Sequence, residues 1–210
     1  MDFAAARKVM VDSQVRVNDV TDRALQAALM AAPREGLVPA ERAYAVYAET
    51  AVEIAEGRKL MPARDIAKLM QALEARPGER ALCLAAPYAA MVLARMGLNV
   101  TAQEASQAVM NQVGPALVEE TVATVVRPFA EPEGEGWDVM VSEAAVHVRP
   151  EAWLAALRPG GRLAVVERSG PVGKAVLYVR GREGGLSRKE LFDSTPPVLA
   201  ELTPAPTFAL

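Results

Sequence analysis

The residues that could do chemistry in this sequence are few: Cys83, His147, Glu104 and Glu143. Cys83 and His147 are the single cysteine and single histidine of 210 residues. One cysteine excludes an intrachain disulfide, and the two together exclude zinc sites assembled from several Cys or His ligands, so no metal is expected. A catalytic triad would have to use His147, which lies in AAVHVRP with no serine elbow nearby. A surface or packing role is expected for it. Cys83 sits in the apolar segment ALCLAA without a cationic neighbour to lower its pKa, and reads as a buried, inert thiol. Glu104 closes VTAQE at the start of a helical pattern, where the helix dipole favours an acid. Glu143 follows WDVMVS and reads as a structural or solvated acid, although its place at the end of a strand lets it face a ligand crevice.

The elements that must position these residues follow from periodicity. Phe3, Ala6, Val9, Met10 and Val17 recur at helical spacing and predict an amphipathic helix over 2–16. Thr21 is the expected cap of a second helix over 22–31, and residues 32–61 read as loop-rich. Pro62 suits the first turn of a helix to about residue 75, with Ile66, Leu69, Met70 and Leu73 on one face. RPGE at 76–79 is a break. Strands are expected at 80–85, 98–103, 121–126, 137–142 and 162–167, separated by helices at 88–96, 104–113 and 150–157. Gly114-Pro115 is expected to end the second of these helices. A hairpin of 174–180 and 186–192 follows, then a tail over 194–210 with four prolines. Strands alternating with helices imply parallel βαβ units, and such sheets bind ligands at the carboxyl ends of their strands. The expected division is a helical extension, 1–78, and a Rossmann-like domain, 79–210.

Composition narrows the function. Apolar residues make up 51% and charged residues 23%, as in a globular protein. The net charge is −3 and no segment is basic enough for a nucleic-acid footprint. The longest apolar run, 81–94, is too short to cross a bilayer and contains Pro87. The N-terminus has no apolar signal core. A cytoplasmic protein without nucleic-acid or membrane partners is expected. A second copy could pack on the apolar N-terminal helix to give a homodimer. Arg162, Arg168, Arg180, Arg182, Arg188 and Lys189 read as solvated edge protection.

Four stretches resemble a known family. WDVMVSEAAVHVRPEAWLAALRPGGRLAVV, at 137–166, resembles the fourth strand, helix and fifth strand of protein-L-isoaspartate O-methyltransferases. MVDSQVRVNDVTD, APREGLVP and AEGRKLMPARDIAKLMQAL resemble the family's N-terminal part. The resemblance implies a seven-stranded methyltransferase sheet, mostly parallel with an antiparallel C-terminal hairpin, S-adenosylmethionine as cofactor and a damaged protein as substrate. It also implies that Glu104 matches the acid that holds the cofactor's ribose, and that Ala85 and Tyr88 stand on its loop.

The sequence departs from that family in two places. The first strand of the family leads into a glycine-rich loop, because glycines let backbone amides approach the cofactor. Here Cys83 stands where the family has Asp, and Ala85-Ala86-Pro87 lead directly to Tyr88 with no glycine between Gly78 and Gly97. Met61 stands where the family places a serine beside the transferring methyl. These departures lead to the expectation of a degenerate methyltransferase acting as a binding or scaffolding protein, with an active carboxyl methyltransferase as the alternative.

Overall fold

In the computed structural model, which describes residues 1–203, short capped helices and one hairpin precede the sheet. Residues 204–210, part of the pattern-poor tail, lie outside the described residues. Asp2 caps α1 (Phe3–Met10) by accepting the Ala5 amide at 3.0 Å. The helix expected over 2–16 loosens into a π-helical turn at Val11–Val15, tightens at Arg16–Asn18, and stops at Asp19 with φ +62°. The cap of α2 (Arg23–Ala31) is Asp22, not Thr21. Its carboxylate reaches the amides of Ala24 and Leu25 at 2.8 and 3.0 Å, whereas Thr21 stands one residue too early.

The stretch 32–61 is more ordered than expected. It holds tight 3-10 turns at Arg34–Leu37 and Ala40–Ala45 and an antiparallel hairpin, β1 (Val52–Ala55) and β2 (Arg58–Leu60). Glu56 and Gly57 turn the hairpin with φ of +48° and +75°, the paired left-handed geometry that matches the twist of two short strands. Strands this short carry too little alternation to show in a sequence. α3 (Ala63–Leu73) follows Pro62 as expected and buries Ile66, Leu69, Met70 and Leu73.

A seven-stranded sheet follows. Its strands are β3 (Arg80–Leu84), β4 (Asn99–Glu104), β5 (Ala123–Val126), β6 (Trp137–Val146), β7 (Leu157–Glu167), β8 (Gly173–Arg180) and β9 (Leu186–Ser194). Their spatial order is β5-β4-β3-β6-β7-β8-β9. Pairing is parallel from β5 to β7 and antiparallel for β8 and β9, the sheet that alternation of strand and helix implied. Both β6 and β7 outrun the expected 137–142 and 162–167, because pairing with neighbours, rather than hydrophobic pattern, sets their ends.

The crossovers are α4 (Pro87–Arg95), α5 (Gln107–Glu119) and α6 (Glu151–Ala156). From Pro87 to Leu93 every residue of α4 is buried, as a helix apolar on all sides requires. Ser106 caps α5, not Glu104, which ends β4, and α5 does not stop at Gly114-Pro115. A proline removes one helical hydrogen bond, but Ala116 and Leu117 beyond it are buried in the core, which holds the helix together. One buried cluster runs from Met10 and Leu25 through Met70 and Met91 to Val139 and Ala175, so it crosses residue 78. A second, including Leu82, Phe129, Trp153 and Tyr178, covers the other face.

Candidate functional site

The strand order reverses between β3 and β6, the place where an open parallel sheet forms a crevice at its carboxyl edge. Three segments meet there: the turn after β3, the end of β4 and residues 142–143 of β6. Ala85 makes the turn with φ +50°, a backbone region that favours glycine, and its amide donates to the Gln103 carbonyl at 3.0 Å. Pro87 then begins α4 at a position where no helical partner for its nitrogen is needed.

Register puts Ser142 beside Leu84, so Glu143 projects just past the end of β3. Its carboxylate is buried and accepts three backbone N–H groups. Two come from the first turn of α4, Tyr88 at 2.8 Å and Ala89 at 3.0 Å; the third comes from Met61 at 3.3 Å. Burial pushes the Glu143 carboxyl above its ordinary pKa, against the pull of the Arg34 charge and the three amides. Arg34 is itself buried. It donates to the carbonyls of Val46 at 3.0 Å and Met61 at 2.7 Å, and its guanidinium lies 4.2 Å from the centre of the Tyr88 ring.

Glu104, at the end of β4, is buried 3% exposed. It accepts the amides of Ala105 at 2.9 Å and Ser106 at 3.5 Å. The β1–β2 hairpin brings Arg58 onto the same carboxylate, with Nε at 3.2 Å and Nη2 at 3.1 Å. That two-pronged contact is the geometry in which guanidinium and carboxylate bind best. The Arg58 guanidinium also lies 5.1 Å from the centre of the Phe129 ring. Burial pushes the Glu104 carboxyl up, opposed by Arg58. Next to Glu104, between Ala86, Pro87, Gln103 and Met110, the remaining cavity measures about 10 Å³. One water needs about that much, and a small-molecule site takes about 300–1,000 Å³.

Comparison with known proteins decides the family. The family model for protein-L-isoaspartate(D-aspartate) O-methyltransferase matches residues 6–190. The chain belongs to the protein-L-isoaspartate O-methyltransferase family. A protein-L-isoaspartate O-methyltransferase of Methylorubrum extorquens strain PA1 is 35% identical over 196 residues, 89% of this chain and 85% of that protein. One from Methylorubrum populi is 34% identical over 198 residues, 91% and 92% of the two chains. The fold also matches a crystal structure of a Plasmodium falciparum protein described as a putative protein-L-isoaspartate O-methyltransferase in complex with S-adenosyl-L-homocysteine. That match has a TM-score of 0.78 at 16% identity and covers 93% of this chain and 98% of that one.

Of the residues that the resemblance assigns to the cofactor, Glu104 ends β4, Ala85 makes the turn after β3 and Tyr88 lies in the first turn of α4. Tyr88 contributes its amide to Glu143, while its ring packs under Arg34. Met61 contributes its backbone, donating to Glu143 and accepting from Arg34. Glu143 is structural in its contacts and not solvated. Cys83 is buried on β3, where desolvation pushes its thiol pKa up. His147 lies half-buried beyond β6, beside Arg149, Tyr178 and Arg188. Sequence reasoning missed Arg58 and Arg34. Arg58 had a signal, since it directly follows the Glu56-Gly57 turn; Arg34 had none, since a buried arginine looks like any other charge.

Among the described residues no cluster of His, Cys, Asp and Glu could hold a metal ion, and no helix is long and apolar enough to cross a membrane.

Proposed function

We propose that this chain keeps the fold of its family with the cofactor crevice closed by its own side chains, and that it acts by binding another protein. One observation carries the reading. Both acids that face the crevice have internal partners, Glu104 in Arg58 and Glu143 in the first amides of α4, and the cavity beside Glu104 has room for about one water. Glu104, the acid that the family resemblance assigns to the ribose hydroxyls of S-adenosylmethionine, has both oxygens taken by Arg58. Ala85, Ala86 and Pro87 carry side chains on the loop where that resemblance calls for glycines. The residues present do not fit that group, and Met61 offers no hydroxyl to orient a carboxylate substrate. The reading places the protein in the cytoplasm, in keeping with its single, buried, unpaired cysteine.

A second reading rests on the named relatives at 35% and 34% identity. In it the chain binds S-adenosylmethionine and methylates isoaspartyl carboxylates of damaged proteins. Thermal unfolding with S-adenosylhomocysteine separates the two. A ligand at about 100-fold over its dissociation constant adds about 2.7 kcal/mol. For a chain of this size that raises Tm by about 5–10 °C. No rise at millimolar ligand is expected; a rise of that order overturns the closed-crevice reading and favours the enzyme.

A further inference from the structure

At the end of the sheet opposite the crevice, the structure opens a cavity of about 440 Å³, within the range of small-molecule sites. Three segments form it: the chain leaving α3, the turn that starts β7, and the end of β8 with the turn beyond it. Four guanidiniums line it, Arg76, Arg158, Arg162 and Arg182.

Two of them are held in place. Arg162 donates to the Leu73 carbonyl at 2.7 Å and the Glu74 carbonyl at 3.0 Å, and binds both Glu79 oxygens at 2.8 and 2.9 Å. It thereby covers the carbonyls at the C-terminal end of α3, whose partial negative charge would otherwise repel an anion. Arg158 is paired with Asp138. Arg76 and Arg182 have no side-chain ion pair or hydrogen bond among the described residues, and both are exposed at the rim. One carboxylate on the same wall, Glu74, also lacks an ion pair and opposes an anion. The two free guanidiniums outweigh it. Leu177 and Val179, both half-buried, add an apolar strip to the lining.

We infer that this cavity binds a small phosphate monoester. Planar guanidiniums pair with phosphate oxygens through two parallel N–H bonds, and two unpaired ones on one cavity supply the two charges that a dianionic head calls for. The apolar strip takes the organic body of the ester, which a bare anion would leave in contact with water. The site lies on residues the crevice does not use, so it stands whichever reading of the crevice holds.

Isothermal titration of the full chain with phenyl phosphate, inorganic phosphate and chloride at matched ionic strength tests the inference. Saturable binding of phenyl phosphate is expected, tighter than that of inorganic phosphate. The R76A/R182A variant should weaken it by about tenfold or more, the loss of at least one charge-assisted hydrogen bond. The E74Q variant should tighten it by about threefold, as removal of one exposed like charge does. All three residues are exposed, so unfolding curves of the variants should overlay the parent's. Absence of saturable heat, an equal response to chloride, or binding by R76A/R182A within about twofold of the parent overturns the site. Equal affinity for inorganic phosphate and phenyl phosphate overturns the ester as its ligand.

Discussion

Replacing Glu143 is the most direct probe of the crevice. In Glu143→Ala the amides of Tyr88, Ala89 and Met61 lose their acceptor in a buried site. The buried Arg34 guanidinium also loses the nearby opposite charge. An unsatisfied buried donor costs about 1–3 kcal/mol. Arg34, held by the Val46 and Met61 carbonyls and not by an ion pair with Glu143, loses less than the about 3–5 kcal/mol of a broken buried pair. The contributions share atoms and do not add, so a loss of about 4 kcal/mol is expected. At about 2–4 °C per kcal/mol for this size, Tm falls by about 8–16 °C. Glu143→Gln behaves differently. Its carbonyl oxygen still accepts from Tyr88 and Ala89, but the buried Arg34 loses the same nearby charge, so near neutral pH the loss is smaller than in Glu143→Ala by the about 1–3 kcal/mol of the amides it keeps satisfied.

The pH dependence gives an independent check. The folded carboxyl of Glu143 has a raised pKa, so the native state holds the proton more tightly than the unfolded chain. Its contribution is most favourable below the unfolded carboxylate pKa. It declines as pH rises through the folded value, beyond which the buried charge exerts its full cost. The stability of Glu143→Gln relative to the parent should therefore rise from acid to neutral pH. Urea unfolding at both ends of that window measures it. A loss in Glu143→Ala below about 1 kcal/mol, or a parent that gains on the Gln variant as pH rises, would refute the account of Glu143.

Arg58→Met should leave Glu104 buried without its cation and cost about 3–5 kcal/mol, while the double change with Glu104→Met should recover most of it; additive single losses in urea melts would sink the pairing. Gly161→Ala would place its Cβ 2.6 Å from the Trp137 carbonyl oxygen and 2.9 Å from that of Arg158. Both are backbone atoms of the sheet, so a loss of more than about 2 kcal/mol is expected, and a neutral variant would contradict the packing. Ellman's reagent should leave the buried Cys83 thiol untouched in the native protein and label it fully in denaturant; prompt native labelling would place β3 in reach of solvent.

The sheet and most of its helices were legible because their signals are local. Apolar runs bounded by Gly and Pro locate β3, β4 and β6. The face of Ile66, Leu69, Met70 and Leu73 locates α3. The absence of glycine at Ala85-Ala86-Pro87 is likewise legible from one segment alone. What failed was also local in appearance but decided elsewhere: α5 passes through Pro115 because burial on the core outweighs one lost hydrogen bond. Likewise, the β1–β2 strands are too short to leave a pattern.

The residue types at the crevice were thus determined by the sequence by itself, and their partners by the tertiary structure. Glu104 and Arg58 are 46 residues apart in the chain, and Glu143 and Tyr88 are 55 apart. No spacing rule links such positions. A strand crossover and a hairpin must first bring them within 3 Å or so of each other, and only then does a carboxylate that could have met a ligand become one that is already bound by the protein itself.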